Sequence, residues 1–353
     1  MPEEIVLFAD SVLADLGCRM LEAVGVPGPK ADLVASSLVA ANLRGVDSHG
    51  VQLLPYYIEQ IEAGGVNVSG EGTVASESGT CLSYDGQNSL GAVVAEKCCD
   101  HAVRLARSYG AGIVIARESN HFGAAAYWGE KMSSAGMIGV VMCNATPLVA
   151  PWQGREGRIG TNPICVCVPG SGGRGWRLDM ATTTVAMGKI YRANMSGQET
   201  IPAGWAMDCQ GRPTTETRAA MMGGLLMPLG GYKGSGLGMM VEILCGVLGG
   251  GAMSTSVGGI RTRVRPTRIS QTFIAIDVSR FMPVEEFRTR LDDLVSRVKG
   301  TPTAVGYDEV LVAGEPEWRT EDERRRTGIP LQRGVWDTIA RTAVRLGVNP
   351  PSA

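Results

Sequence analysis

Histidine is scarce in this sequence, and the patterns that mark several large classes of protein are missing. Only three of the 353 residues are histidines, and Lys and Arg together number 33 against 35 acidic residues. No run of basic residues stands out, which argues against nucleic acid as the main partner. The nine cysteines form no CxxC pair, and no Cys/His spacing suits zinc. We therefore expect reduced, packed thiols, a cytoplasmic location and no metal.

Long hydrophobic runs are also missing. The most apolar region, residues 236–253, carries Glu242 and several small residues, whereas a transmembrane helix normally needs about 20 apolar residues. The N-terminal stretch MPEEIVLFADSVLADLG is acidic and has helical periodicity, unlike a signal peptide. We expect a buried helix at 236–248, no membrane partner and no secretory leader.

The apolar content is nevertheless high enough for a sizeable core, at 44% of residues against 19% charged. The N-terminal part is predicted to be helical, including a helix with Leu53 and Ile58 on one face. A polar section with few strands follows to about residue 80. Helices and strands then alternate up to a last predicted strand, EVLVA (309–313), before a helical C-terminus. This order predicts an α/β protein whose helical ends pack together.

Two glycine-rich segments are candidates for binding a phosphate. Gly170, Gly172 and Gly175 have GxGxxG spacing, but the Rossmann glycines must follow a strand and open a helix. The next residues, WRLDM, read as a strand, so a hairpin connection explains this segment better. In GGYKGSGLG, residues 234–236 would leave free backbone N–H groups at a helix start beside Lys233, which is an arrangement that binds phosphate. An ordinary flexible loop explains that second segment equally well.

Two histidines stand in polar turns. His49 follows Asp47 and Ser48, and because neighbouring side chains on a turn diverge, a Ser/His hydrolase is a poor interpretation. A histidine oriented by a hydroxyl or carboxylate is a good proton donor to a carbonyl oxygen. A capping Asp or Ser beside a bystander histidine is an equally good interpretation. His121 follows a β-rich run in SNHFG, where a catalytic and a structural role are both open.

Two further turns offer polar side chains. GTNP presents Thr161 and Asn162 to a ligand. DMATTT ends a predicted strand and starts a predicted helix, with Thr182 or Thr183 at its N-cap. Asp179 at the strand end is placed either to accept from a ribose hydroxyl or to cap that helix.

Taken together, these segments resemble the malate/L-lactate dehydrogenase-like family of NAD(P)-dependent oxidoreductases, which is of the non-Rossmann type. Members include ureidoglycolate, sulfolactate and diketogulonate-type enzymes. The motifs RGVDSHGV, ESNHFG, IGTNP, LDMATTTVAMGK, PLGGYKGSGL and GEPE occur in order along nearly the whole chain. The resemblance implies a mixed α/β fold and a homodimer. Residues 1–75, completed by 302–353, would form a helical substrate and dimer domain, and residues 76–301 the NAD(P)-binding domain.

The resemblance also implies site residues. His49, supported by Ser48, would exchange a proton with the substrate oxygen, and His121 would lie beside the nicotinamide as the proton acceptor of some members. Thr161 would contact the substrate. The implied cofactor contacts are His121, Phe122, Gly123, Asp179, Met180, Ala181, Lys233, Gly314 and Glu315. The implied reaction is hydride transfer between NAD or NADP and a small 2-oxo/2-hydroxy acid. A ketimine reductase and a nucleotide-binding protein without turnover are the alternatives.

One position departs from the family pattern. Members commonly read SHGVxR, with an arginine that can pair with the substrate carboxylate, but here that position is Leu53. Either another cation, for which Arg44 is a candidate, binds the carboxylate, or the substrate presents a different group to Leu53. Lys189 stands where some imine-reducing members carry an acid, which favours oxo/hydroxy acids over cyclic imines.

Overall fold

Helices and strands alternate along the chain in a computed structural model that describes residues 4–261 and 266–352. The helices are α1 (Asp10–Glu22), α2 (Gly28–Leu43), α3 (Leu54–Glu62), α4 (Gly91–Tyr109), α5 (Ala125–Ser134), α6 (Met187–Met195), α7 (Thr217–Met221), α8 (Tyr232–Glu242), α9 (Val284–Lys299), α10 (Glu315–Thr327) and α11 (Arg333–Arg345). The strands are β1 (Ile5–Phe8), β2 (Thr73–Ser78), β3 (Cys81–Asp85), β4 (Ala111–Ser119), β5 (Met137–Cys143), β6 (Ile164–Cys167), β7 (Arg177–Met180), β8 (Ala206–Met207), β9 (Pro213–Thr214), β10 (Leu225–Leu226), β11 (Ile269–Asp277) and β12 (Ile329–Gln332).

The largest sheet has the strand order β2-β3-β4-β11-β5-β6-β7. Within it, β3 and β4 are parallel, and the other neighbouring strands are antiparallel. A Rossmann domain is built instead on parallel strands joined by crossover helices. The predicted mixed, non-Rossmann α/β fold is therefore confirmed. The GSGGRG segment is the predicted hairpin connection, since it joins the antiparallel strands β6 and β7.

Both faces of this sheet are covered, because side chains alternate between faces along each strand. On one face, Phe273 and Val141 belong to the main core, where α4 and α5 pack. On the other face, Ile274 and Met142 pack around Cys245. Complete burial of such side chains contributes about 1.5–3 kcal/mol each, so the central strands are held from two sides.

The apolar segment predicted as a buried helix is α8 together with a π-helical extension, Ile243–Val247. Its inner side packs on the sheet, but Met239 and Leu248 are more than half exposed, and Ile243 nearly so. None of the helices in residues 4–261 and 266–352 is long and apolar enough to cross a membrane.

The two ends of the chain pack on each other, as expected. β1 pairs antiparallel with β12, α10 contacts α2, and α11 contacts α3. The rings of Phe8 and Trp336 lie 4.2 Å apart across this junction. The division of the chain into two domains near residues 75 and 302 stays a prediction.

Several strands lie where the sequence predicted none, among them β1, β2 and, in the C-terminal part expected to be helical, β12. Ile5–Phe8 was expected to be helical, but it is β1, with Val6 and Phe8 buried and their neighbours exposed. This alternation is too short to be recognised without its partner strand. β2 falls in the section expected to have few strands, and all six of its residues are exposed, so it carries no apolar alternation.

The prediction of a strand at 309–313 is wrong. This segment approaches β7 and makes one backbone hydrogen bond to it, in which the Arg177 N–H donates to the Ala313 carbonyl oxygen over 3.3 Å. The chain then turns at Gly314, whose φ is +95°. Because the segment leaves β7 after one bond, no ladder forms and its apolar residues lie in irregular backbone.

All nine cysteines are free thiols. Cys18, Cys81 and Cys209 reach the surface, and the other six are buried. The expectation of reduced, packed thiols therefore holds for those six.

Candidate active site

The turn that carries His49 lies between α2 and α3, and other parts of the chain set its shape. Asn42 Oδ1 accepts from the Val51 N–H over 2.8 Å, and Asn42 Nδ2 donates to Asp47 Oδ1 over 2.7 Å. Arg324 of α10 donates to both Asp47 oxygens over 2.6 and 3.1 Å. A bidentate pair of this kind fixes orientation as well as charge, so the C-terminal segment positions the histidine turn.

The structure brings His49 and His121 together. Their rings stack with centroids 5.6 Å apart and planes inclined by 22°. Ser48 Oγ lies 2.9 Å from His49 Nδ1. Tyr57 Oη lies 2.6 Å from His121 Nδ1, and the Gly123 N–H donates to the same nitrogen over 3.3 Å. Both histidines are partly exposed. The protein holds Nδ1 of each ring, and Nε2 of each ring has no hydrogen-bond partner among the described residues.

Both rings are neutral at pH 7. Burial lowers the pKa of His49 to about 4, and burial together with the charge of His49 lowers the pKa of His121 to about 3. Burial also raises the pKa of Tyr57, so its hydroxyl keeps its proton. Since a backbone N–H can only donate, Nδ1 of His121 is an acceptor, and the ring proton of neutral His121 is on Nε2. His121 thus offers an N–H donor at Nε2. For His49 either tautomer is compatible with the structure, because the Ser48 hydroxyl can donate to Nδ1 or accept from it.

The turn that carries His121 is held by hydrogen bonds of the Asn120 side chain and by close packing on the start of α4. Asn120 Nδ2 donates to the carbonyl oxygens of Asn88 and Ser89 over 3.0 and 2.8 Å, and Thr267 Oγ1 donates to Asn120 Oδ1 over 2.6 Å. Gly91 starts α4 directly beneath the turn, and a Cβ atom there would collide with the carbonyl oxygens of Asn120 and His121. The position of His121 therefore depends on the absence of a side chain at residue 91.

Asp179 stands at the end of β7 as predicted, but it caps a different helix. Its Oδ2 accepts from the Ala126 N–H in the first turn of α5 over 2.8 Å. Burial of the carboxylate raises its pKa to about 6, and the Ala126 N–H opposes that rise. The residue is nevertheless exposed on its open side, where hydration favours the charged form, so we treat the carboxylate as ionised at pH 7.

The prediction that Thr182 or Thr183 would cap the next helix is wrong. α6 begins at Met187 with Ala186 at its N-cap. Thr182 Oγ1 donates to the Thr161 carbonyl oxygen over 3.0 Å, and Thr183 Oγ1 donates to the Val185 carbonyl oxygen over 2.8 Å. Both hydroxyls therefore stabilise the loop itself.

Most of the predicted cofactor segments meet around this end of β7. The His121 turn leads into α5, whose Ala126 binds Asp179. Leu229, close to Lys233, donates its N–H to the Thr182 carbonyl oxygen over 3.0 Å. The Gly314 turn does not join them, because it packs against Arg177 at the opposite end of β7. Met180, Ala181 and Thr161 are partly exposed at the same strand end.

The expectation of free N–H groups at residues 234–236 is wrong. α8 begins at Tyr232, earlier than predicted, so Gly234 donates to Leu229 over 2.7 Å and Ser235 donates to Gly231 over 3.1 Å, while Gly236 lies inside the helix. Lys233 is exposed, and no carboxylate in the described part of the chain pairs with it. Its ammonium lies 6.0 Å from the centre of the Tyr232 ring.

Asn162 of the GTNP turn does not offer its amide to a ligand. It is fully buried with φ of +35°. Its Oδ1 accepts from Ala145 N over 3.0 Å, and its Nδ2 donates to Gly238 O over 2.9 Å and to Glu242 Oε1 over 3.2 Å. This amide is a structural link between the turn and α8.

Two predicted cofactor residues have side chains that are already occupied. Phe122 is buried in the core near Trp128. Glu315 pairs with Lys299, and its other oxygen accepts from the Val312 N–H over 3.0 Å. Any contact that these two residues make with a ligand would therefore use the backbone.

Arg44 does not have a free charge for a substrate carboxylate. It is buried and forms ion pairs with Glu130 and with Glu321, the second at 3.4 Å. Its guanidinium also lies 5.9 Å from the Trp318 ring centre. Leu53 is only 3% exposed and belongs to the core, so neither residue presents a cation to a ligand.

A family model described as malate/L-lactate dehydrogenase matches residues 9–340. The chain belongs to the malate/L-lactate dehydrogenase family. It is 39% identical over 338 residues to a malate dehydrogenase of Pyrococcus horikoshii, covering 94% of this chain and 93% of that protein. It is 35% identical over 330 residues to an L-sulfolactate dehydrogenase of Methanocaldococcus jannaschii, covering 94% of each.

Similarity in structure agrees with similarity in sequence. The solved structure of the Pyrococcus horikoshii malate dehydrogenase superposes with a TM-score of 0.91 at 36% identity, over 98% of this chain and 97% of that one. The predicted malate/L-lactate dehydrogenase family and oxidoreductase class are therefore confirmed.

Three site residues of this malate/L-lactate dehydrogenase family member were missed by the sequence analysis. Tyr57 lies on the helix that the sequence distinguished only by its apolar face. Arg324 lay in a charged helix without a distinguishing pattern, and Asn42 ended an apolar helix. The partners of Tyr57 and Arg324 are distant in sequence, whereas Asn42 binds Asp47 and Val51, five and nine residues after it. Among the described residues, no cluster of three or more His, Cys, Asp or Glu is arranged to hold a metal ion.

Proposed function

We propose that this protein transfers hydride between NAD or NADP and a small 2-oxo/2-hydroxy acid, with His49 as the proton carrier. The observation that carries the proposal is the stacked pair of neutral, partly exposed histidines, His49 and His121. The relatives named malate dehydrogenase and L-sulfolactate dehydrogenase support a 2-hydroxy acid as the substrate class.

His49 and His121 have different roles in this proposal. Neutral His121 donates its Nε2 proton as a hydrogen bond to the substrate oxygen, because its Nδ1 is occupied by Tyr57 and Gly123. His49 accepts the hydroxyl proton during oxidation, with its other ring nitrogen bonded to Ser48. During reduction, His49 must be protonated first, and a bound anionic substrate favours that form because opposite charges attract.

The residues at the end of β7 fit a dinucleotide. The exposed Asp179 carboxylate suits a ribose hydroxyl, and the exposed Lys233 ammonium suits a phosphate. Ala181, two residues after Asp179, is partly exposed at the same strand end, whereas Gly314 packs at the other end of β7 and its contact with the cofactor stays a prediction. When bound there, the nicotinamide supplies or accepts the hydride, and the protein groups handle the proton.

We also propose a homodimer in the cytoplasm. Met239, Ile243 and Val247 follow each other at four-residue spacing along α8 and its extension, and they are exposed. Apolar helical faces of this kind are typical of interfaces between subunits. Nine free cysteines support a reducing compartment. Light scattering after chromatography should give twice the mass of the chain, and Ile243→Glu should reduce it to the monomer mass.

The function is tested by measuring oxidation of NADH and of NADPH with oxaloacetate, pyruvate, a sulfonated 2-oxo acid and a cyclic imine. We expect turnover with at least one oxo acid. His49→Ala should lose about 10²–10⁴-fold in kcat, the usual value of general acid–base catalysis, while coenzyme affinity measured by fluorescence stays unchanged. His101→Ala is the matched control, since this third histidine lies on α4 beside Tyr84 and should leave turnover unaltered.

Three results would contradict the proposal. Absence of turnover with every acid and either coenzyme would remove the dehydrogenase assignment. Turnover with the cyclic imine alone would identify a ketimine reductase. Full activity of His49→Ala would exclude His49 as the proton carrier.

A further inference from the structure

A large cavity lies on the outer side of the histidine turn. It encloses about 540 Å³, and Ser48, Gln52 and Tyr56 form one wall of it. These three residues recur at four-residue spacing, as His49, Leu53 and Tyr57 do on the neighbouring side of the same segment. The segment consists of two 3₁₀ turns, Asp47–His49 and Val51–Leu53, followed by α3. Ser48 lines the cavity and its Oγ lies 2.9 Å from His49 Nδ1, so the cavity adjoins the histidine pair.

The charges in this cavity are mostly positive. Among the described residues that line it, the charged ones are Asp47, Arg192, Arg261 and Arg324. Arg324 neutralises Asp47 through its bidentate pair. Arg192 lies 3.9 Å from the same carboxylate and is largely exposed. Two guanidinium charges are left without an equivalent acid.

Arg261 is held in place without a carboxylate. Its guanidinium carbon lies 4.0 Å from the ring centre of Tyr191 and 4.9 Å from that of Tyr56. Within residues 4–261 and 266–352 it has no ion pair. Gln60 of α3 also fixes the backbone before it, because Gln60 Nε2 donates to the Ile260 carbonyl oxygen over 3.3 Å. An arginine ordered by aromatic rings keeps its hydrogen-bond donors free for an anion.

The same segment connects this cavity with the histidines. Ile260 lines a smaller cavity together with Tyr57 and His121, whereas Arg261 lines the large one. Two consecutive residues of α3 also reach both places, because Tyr57 binds His121 and Tyr56 contacts Arg261. A substrate whose carbonyl lies at the histidines would thus have its far end directed towards Arg261.

We propose that Arg261 is a specificity-determining residue that binds a second anionic group, a carboxylate or sulfonate, at the far end of the substrate. Arg261 supplies, from a neighbouring segment, a positive charge that the buried apolar residue Leu53 does not provide. This inference rests on the proposed function and goes beyond it by distinguishing doubly charged from singly charged 2-oxo acids.

The test compares oxaloacetate with pyruvate in wild type, Arg261→Gln and Arg261→Lys. With Arg261→Gln we expect kcat/KM for oxaloacetate to fall about 10- to 100-fold, mainly through KM, as is usual when a hydrogen bond between charged groups is lost. The value for pyruvate should change less than about threefold. Arg261→Lys keeps the charge and should recover part of the loss. Arg297→Gln removes an exposed arginine of α9 that pairs with Asp293, and it should change neither value.

Four other results would contradict the proposed role of Arg261. Equal losses for both substrates would place Arg261 at the shared carboxylate, and a weaker affinity for NADH or NADPH in a fluorescence titration would place it at the coenzyme. A change of molecular mass in Arg261→Gln would identify the cavity as a subunit contact. Unchanged kinetics would remove Arg261 from the site. If the wild type turns over neither acid, the proposed function itself fails, and that outcome is distinct from all of these.

Discussion

The assignment of different roles to His49 and His121 predicts different effects for the same substitution. Glutamine keeps an N–H donor but has no basic nitrogen. His121→Gln should therefore retain the hydrogen bond to the substrate oxygen in weakened form. A neutral hydrogen bond is worth about 0.5–1.5 kcal/mol, so the loss in kcat should be about 2- to 13-fold. His49→Gln removes the proton carrier and should cost about 10²–10⁴-fold.

The pH dependence gives a second, independent measure of the same assignment. In oxidation of the hydroxy acid, kcat/KM reports the free enzyme, in which burial lowers the pKa of His49 to about 4. The active form is the neutral base, so activity is full above this pKa and is lost as pH falls through it. We expect kcat/KM to be flat from pH 8 to about pH 5 and to fall tenfold per unit at lower pH. An unperturbed histidine would begin to lose activity near pH 6.5.

The assay is steady-state kinetics of wild type, His49→Gln and His121→Gln in both directions, with coenzyme at saturation. Tyr57→Phe is a useful fourth protein, because it removes one donor to His121 Nδ1 but leaves the Gly123 N–H. It should lose less activity than His121→Ala. The reasoning is refuted if His121→Gln loses more activity than His49→Gln, or if the acid limb near pH 4–5 disappears with His121→Gln and persists with His49→Gln.

Three further predictions concern stability. Leu53→Arg buries a charge at a core position and should lower the free energy of unfolding by about 3–5 kcal/mol in urea titrations; a loss no larger than that of Leu53→Met would contradict it. Gly91→Ala should destabilise the protein by about 1–3 kcal/mol, because the added Cβ meets the His121 turn. The control is Gly334→Ala at the start of α11, where the added Cβ lies in open space and the change should be neutral or stabilising. Equal melting temperatures for the two variants would be evidence against the collision. Because the pKa of His49 is lower in the folded protein, the unfolded chain binds a proton on this histidine more readily. The free energy of unfolding should therefore be unaffected by His49 above pH 6.5 and should fall by about 1.4 kcal/mol per pH unit as pH falls towards 4. His49→Gln should show a correspondingly shallower decline, and parallel curves for the two proteins would disprove the linkage.

The parts of the fold that could be predicted are those with a strong local period. The apolar pattern predicts a helix at 90–109 and a strand at 112–118, and α4 and β4 lie within one residue of those bounds. β1 and β2 were missed because one is short and the other fully exposed, so neither has a readable pattern. The segment 309–313 has the pattern of a strand but leaves β7 after one backbone bond, which no local signal records.

The candidate site divides in the same way. His49, His121 and Asp179 stand at ends of regular elements, where the sequence marks them as candidates. Arg44 was equally plausible as a substrate cation, and its ion pairs with Glu130 and Glu321 became visible only when α5 and α10 were seen to pack beside it.

The sequence by itself determined the family, the α/β class and the residues able to move a proton, because these depend on ordered motifs and on the chemistry of single side chains. The tertiary structure decided how those residues are used. The direction of the His121 ring proton depends on Tyr57 and Gly123, the orientation of His49 depends on a turn anchored by Arg324, and the free charge of Arg261 depends on two tyrosines from different helices. Each of these properties is a relation between groups in space. Hydrogen bonds and ion pairs act over a few ångströms between residues that can be hundreds of positions apart, so spacing along the chain does not reveal them.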